Sequence, residues 1–146
     1  PSSYRDYAVD FDGDGKANLW TSAADAIGSI ANYYQAYGWQ ENEPVMVEAT
    51  VSGDEFTPLL SRDIQPHTPV AELQNIGVTP EEDVPGENLA SLLALIEGDE
   101  TRYWLAFNNF YVITSYNRSV YYAMAVYELS REILSARGER IPDINN

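Results

Sequence analysis

Asp10, Asp12 and Asp14 alternate along DFDGDGKANLW, residues 10–20, with Gly13 and Gly15 set among them. Three carboxylates this close repel one another unless something neutralises them. Carboxylates alternating along a tight loop converge on one point, and a point surrounded by six to eight oxygens suits calcium. In the EF-hand pattern the ligands come from loop positions 1, 3, 5, 7, 9 and 12, with glycine at 6. Asp10, Asp12 and Asp14 take the first three places, Gly15 the glycine, Lys16 the seventh, where only its carbonyl is used, and Asn18 the ninth. Thr21 stands at the twelfth, so the closing carboxylate falls to Asp25 and the loop is longer than the standard one. Asp25 also lies where a helix cap would, and the two roles compete for its oxygens. A solvated turn and a different cation are the alternatives to calcium.

A helix must hold that loop. In TSAADAIGSIANYYQAYGW, Ile27, Ile30, Ala31 and Tyr34 fall at helical spacing. Ser22 is placed to cap, with Asp25 three residues on, and Gly38 is a natural stop. The pattern predicts a helix from about Ala23 to Tyr37.

Residues 40–107 change character. In EPVMVEATV, Val45, Val47, Ala49 and Val51 alternate with Met46, Glu48 and Thr50, which predicts a half-buried strand. Pro58, Pro66, Pro69, Pro80 and Pro85 forbid a long helix. TPVAELQNIG reads as one short helix, with Thr68 as cap, Pro69 in its first turn and Gly77 at its end. LASLLALIE has a composition that suits a helix, but EGDET is a turn and RYWLAF a strand, which favours a hairpin. His67 sits in a proline-flanked loop and reads as a surface residue. A last helix is predicted from about Arg118 to Ala136, with Tyr122, Val126, Leu129, Ile133 and Ala136 as its apolar stripe and a loose tail from Ile141. The fold class is α+β: residues 1–39 and 108–146 form helical core portions, and residues 40–107 a small inserted antiparallel β domain.

The chain has 146 residues and a net charge of −15, which argues against nucleic acid as a partner, since phosphate binding needs clustered Lys and Arg. It has no cysteine, which excludes disulfides and thiolate chemistry. No apolar run approaches a membrane span. PSSYRDY reads as the middle of something longer, so an excised fragment is expected. Self-association is then expected too, through apolar faces at Ile27, Ile30, Val126 and Ile133.

Three segments, PSSYRDYAVDFDGDGKANLW, DAIGSIANYYQAYGW and NFYVITSYNRSVYYAMAVYELSREI, resemble in order the lytic murein transglycosylase B family. The resemblance implies a lysozyme-like helical core with an inserted β domain and an EF-hand-like calcium loop. It implies a bacterial enzyme of the periplasm, often anchored to the outer membrane, whose partners are peptidoglycan glycan strands. Such enzymes cut the MurNAc–GlcNAc β-1,4 bond and leave a 1,6-anhydromuramoyl end. One glutamate protonates the glycosidic oxygen, then acts as base while the sugar's own 6-hydroxyl attacks C1, unlike the two-carboxylate scheme of most glycosidases. The resemblance places that glutamate upstream of Pro1, so no catalytic residue is assigned here and the chain alone is expected to be inactive.

Matched position by position, the resemblance implies sugar contacts at Tyr33, Tyr116, Asn117 and Tyr122, and a calcium loop of Asp10, Asp12, Asp14, Lys16 and Asp25. From the residues alone, packing is the favoured role for Tyr33 and Tyr116, and Tyr122 lies on the apolar stripe of its helix with its hydroxyl reaching towards the cleft. A calcium-dependent carbohydrate- or protein-binding module is the other reading of the whole chain.

Overall fold

The computed structural model describes residues 6–138. The chain divides into two compact units, Pro1–Gln40 and Glu41–Asn146. The expected loose tail from residue 141 lies outside the described residues.

The first unit is the acidic loop on helix α1, Ala23–Ala36. Ser22 caps it by accepting the Asp25 amide at 3.2 Å. At the other end the chain reverses at Gly38, with φ +91°, a conformation that glycine adopts without strain. The side of α1 buried within the chain is Asp25, Gly28, Ser29 and Tyr33. The predicted apolar side is not: Ile27 is 69% exposed and Ile30 39%. The loop explains this, because it folds onto the small-residue side. The Val9 amide donates to Ser29 Oγ at 2.9 Å, and the Phe11 ring lies where a Cβ on Gly28 would stand.

The second unit is a five-stranded antiparallel sheet. Its strands are β1 (Met46–Val51), β2 (Thr68–Pro69), β3 (Val78–Pro80), β4 (Leu89–Glu97) and β5 (Glu100–Ala106), in spatial order β2-β4-β5-β1-β3. A 3-10 turn covers Thr57–Ser61, and the short helix α2 spans Val70–Asn75. LASLLALIE is strand β4, and its hairpin turns through Gly98 at φ +63°. Both faces of the sheet are covered. Val47, Ala49, Ala90, Leu92 and Leu105 pack with Phe56, Val70, Leu73 and Val78 on one side. Met46, Ser91, Leu95, Trp104 and Ala106 are buried on the other. This is why β4 reads as a nearly continuous apolar run rather than an alternation.

Two expectations of this region need correcting. Thr68 does not cap α2: it lies in β2, paired with Ala90, and its hydroxyl meets His67 Nδ1 at 2.6 Å. Pro69 occupies the cap position without a side-chain bond. His67 is half-buried, not a surface residue, and its Nε2 is buried without a partner.

The end of the unit carries two helices where one was expected: α3, Asn108–Tyr116, and α4, Val120–Ala136. The β-branched residues of FYVIT disguise α3. Packing outweighs propensity there, with Phe110, Val112 and Ile113 all buried. Asn109, fully buried, donates through Nδ2 to the Glu43 carbonyl at 3.1 Å and ties α3 to the segment that leads into β1. On α4 the buried residues are Ala123 and Met124, with Tyr127 half-buried beside them. Leu129 and Ile133, assigned to the stripe, are 57% and 50% exposed. The helix is aimed by the Tyr127 hydroxyl, which donates to the Met46 carbonyl of β1 at 3.2 Å.

Candidate functional site

The acidic loop is built by its own carboxylates. Asp10 Oδ1 accepts the amides of Gly13 and Asp14, at 2.7 and 3.1 Å, and Oδ2 accepts that of Gly15 at 2.7 Å. Asp12 Oδ1 accepts the Asp14 amide, and Asp14 Oδ1 the Lys16 amide. Gly13 and Gly15 take φ +79° and +91°, values that let the backbone wrap these side chains. Ser22, besides capping α1, donates its hydroxyl to Asp12 Oδ2 at 2.7 Å.

Asp25 is the centre of the arrangement. It is fully buried in the first turn of α1. Its Oδ1 accepts the amides of Phe11 and Asp12, at 2.8 and 3.2 Å, and its Oδ2 accepts that of Asn18 at 2.8 Å. These amides, Asn18's first, hold its carboxyl below the usual carboxylate range against the opposing effect of burial. Three donors leave about one of the four lone-pair sites of an ionised carboxylate free. Carboxylate oxygens of Asp10, Asp12 and Asp25 lie within 4.8 Å of one another. Asp14 and Lys16 are exposed on the loop. Asn18 spends its Oδ1 on the amides of Trp20 and Thr21, at 3.2 and 3.3 Å, and so braces the entry to α1.

Of the residues proposed to touch sugar, Tyr33 belongs to the first unit and the other three to the second. Tyr33 is 6% exposed. Tyr37 stacks on its ring, and Tyr7 meets it edge-on. Tyr116 is the last residue of α3 and 46% exposed. Asn117 follows as an extended, exposed cap residue. Ser119 then caps α4 by accepting the Tyr122 amide at 3.2 Å, which sets half-buried Tyr122 in the first turn. The α3–α4 corner thus gathers Tyr116, Asn117 and Tyr122 within seven residues of chain.

An open groove of about 600 Å³ in the second unit is lined by Glu48, Arg102, Trp104, Tyr127 and Arg131 among others. Arg102 lies over the Trp104 ring and pairs with Glu48 and Glu97. Its guanidinium holds the Glu48 carboxyl below the usual range. Arg131 is hydrogen-bonded to the Tyr127 hydroxyl at 2.7 Å. The contributing positions stand as far apart as 48, 102 and 131, so no local motif announces them.

Comparison with known proteins agrees with the family resemblance. A family model described as "Transglycosylase SLT domain" matches residues 1–131. The chain is 43% identical over 137 residues to the membrane-bound lytic murein transglycosylase B of Escherichia coli K12, covering 94% of this chain and 37% of that protein. Soluble lytic transglycosylase SltB1 of Pseudomonas aeruginosa superposes with a TM-score of 0.85 at 41% identity, over 94% of this chain and 46% of that one. The E. coli lytic transglycosylase Slt35, solved in complex with calcium, gives 0.81 at 42% identity, over 95% and 43%. SltB3 of P. aeruginosa, solved with NAG-anhNAM-pentapeptide, gives 0.74 at 37% identity, over 86% and 34%. The chain therefore spans less than half the length of these relatives. On a family match covering most of its length and a curated relative above 40% identity, the chain belongs to the transglycosylase SLT domain family.

Proposed function

We propose that the chain is part of a peptidoglycan lytic transglycosylase, and that these residues supply its calcium loop and part of its glycan cleft rather than its acid. Family membership carries the reading, and the murein transglycosylase named among the relatives gives it a substrate. The reaction is cleavage of the MurNAc–GlcNAc β-1,4 bond. A proton passes to the leaving oxygen, the 6-hydroxyl of the same sugar bonds to C1, and its proton returns to the acid, leaving a 1,6-anhydro end.

The acid in such a reaction needs a raised pKa, from burial in an apolar pocket beside the scissile bond. Asp25 and Glu48 are shifted the opposite way, both driven lower. One is held by backbone amides and the other by Arg102, so both are built to stay ionised. Tyr33, Tyr116, Asn117 and Tyr122 are the proposed sugar contacts, through ring faces, hydroxyls and the amide.

The loop fits a hard cation. Asp10, Asp12 and Asp25 already converge, and Asp14 and the Lys16 carbonyl are proposed as further ligands. Calcium would supply charge neutralisation and rigidity there, with no part in the bond cleavage. A periplasmic location follows the same reading. No described helix is long and apolar enough to cross a membrane.

The test is incubation of the purified chain with murein sacculi. The chain is expected to co-sediment with sacculi and to release no anhydromuropeptides detectable by mass spectrometry. Release at enzyme-like rates would place the acid within these 146 residues. Absence of any co-sedimentation would remove the glycan reading.

A further inference from the structure

Five rings form a continuous band along the C-terminal half of α1 and the turn after it. Tyr37 stacks on Tyr33 with centroids 4.2 Å apart and planes 20° apart. Tyr7 meets both rings edge-on, at 5.1 Å from Tyr33 and 5.8 Å from Tyr37. Tyr34 lies 6.2 Å from Tyr33, and Trp39 stacks on Tyr34 at 5.7 Å and 14°. The middle of the band is covered and its ends are not: Tyr33 is 6% exposed, Tyr37 46% and Trp39 36%. The resemblance names Tyr33 as a sugar contact, but its ring is already occupied by its neighbours. The most exposed rings of the band are Tyr37 and Trp39, with Tyr7 and Tyr34 half-buried.

We propose that Tyr37 and Trp39 are a stacking platform for N-acetylated hexosamine rings, continuing the glycan contact beyond Tyr33. The inference rests on the reading of this chain as a peptidoglycan-binding domain. Three observations favour a sugar as the occupant. Each ring is packed against another aromatic yet keeps 46% (Tyr37) or 36% (Trp39) of its surface exposed, and a pyranose stacks its apolar face on such rings. Both rings are packed before any ligand arrives, Tyr37 on Tyr33 and Trp39 on Tyr34, and the backbone that carries them is held as well. The Trp39 amide donates to the Tyr34 carbonyl at 2.9 Å and the Tyr37 amide to the Tyr33 carbonyl at 3.0 Å, with Gly38 making the reversal between them. Little side-chain freedom is then lost on binding. Both rings also lie within two ring contacts of Tyr33, the position the family resemblance assigns to the glycan.

The platform is tested by titrating the N-acetylglucosamine tetramer into the full chain. Binding is followed through the indole N–H resonances, with the Trp39 signal assigned from Trp39→Phe. The expected result is a shift of the Trp39 signal on binding, and a Kd about three- to tenfold weaker in Tyr37→Ala and in Trp39→Ala, the range for one aromatic contact. Trp39→Phe keeps a ring and is expected to keep most of the affinity, which separates loss of stacking from loss of fold. Ile96→Ala, at a 69% exposed position in the other unit, is expected to bind as the parent does. Unchanged affinity in both alanine variants, with sacculi still bound, overturns the platform and leaves the peptidoglycan reading standing. Failure of the parent chain to bind either tetramer or sacculi overturns both. A change in sedimentation mass in Trp39→Ala without a change in sugar affinity also overturns it, and makes the face a protein interface.

Discussion

The buried carboxylate of Asp25 accepts the backbone amide of Asn18 at 2.8 Å from seven residues away. Through this bond and its bonds to Phe11 and Asp12, one side chain at the start of α1 holds both limbs of the acidic loop. The folded carboxyl titrates below its unfolded value. Its contribution is therefore full above the unfolded pKa of about 4 and is lost as pH falls through the folded one. Asp25→Ala is expected to lower the melting temperature at pH 7. The difference from the parent should shrink as both proteins are melted at successively lower pH below 4. A difference that stays constant to pH 2 would contradict this account.

Calcium at millimolar concentration is expected to raise the melting temperature, because a ligand of the native state stabilises it by mass action. The gain is about 2.7 kcal/mol at a hundredfold excess over Kd. Asp12→Ala is expected to weaken binding and, by removing one of three converging charges, to melt no lower than the parent in a chelator. Isothermal titration of parent and variant measures the first effect, and melting in EGTA the second.

His67 sits half-buried with Nε2 unpartnered, and burial, foremost, pushes its pKa down. The unfolded chain therefore binds the proton more readily. Stability is full above the unfolded pKa of about 6.5 and declines as pH falls through the window below it. His67→Gln is expected to flatten that decline, seen as urea midpoints that no longer drop between pH 7 and 5.

Gly77 ends α2 with φ +90°, and a Cβ there would run into the Ser52 carbonyl. That carbonyl belongs to the residue whose own amide donates to Gly77 O at 2.8 Å, so neither side can yield freely. Gly77→Ala is expected to cost about 1–3 kcal/mol, the range for backbone strain, measured by urea denaturation.

Leu73 of α2 is completely buried in the sheet core, whereas Leu129 of α4 is 57% exposed. Leu73→Ala is expected to cost about 2–5 kcal/mol, and Leu129→Ala to stay within about 0.5 kcal/mol. Paired urea melts of the two variants decide whether the exposed side of α4 carries stability in this chain.

The helix α1 and the β4–β5 hairpin could be read from sequence because capping and turn residues mark their limits: Ser22 and Gly38 for one, Gly98 for the other. What escaped was whatever depends on distant partners. FYVIT favours a strand locally and becomes helix only because Phe110, Val112 and Ile113 find a core. The stripe on α4 was placed on the wrong side for this unit, since periodicity cannot tell Leu129 from Met124 without the neighbours. In the loop, the residue types pointed to Asp25 as the closing carboxylate. Its three amide partners were invisible, because Phe11 and Asp12 lie 14 and 13 residues back along the chain. Tyr33 was named through family resemblance, and only the packing shows that Tyr37 covers its face.

The register of β1 sets an order of events during synthesis. Met46, Val47, Glu48 and Ala49 pair with Ala106, Leu105, Trp104 and Tyr103. Met46, Val47 and Ala49 are among the most buried residues of the sheet, yet these partners are the last strand to leave the ribosome. At ordinary elongation speeds, about 5–20 residues per second, the nascent chain carries Met46 to Glu48 without their β5 partners for roughly 3–12 s, although β3 can pair earlier with Ala49 to Val51. The β4–β5 hairpin closes locally and can then receive β1. For those seconds, a ribosome-bound chaperone that binds short apolar stretches would find its target in the segment that later lies between β5 and β3.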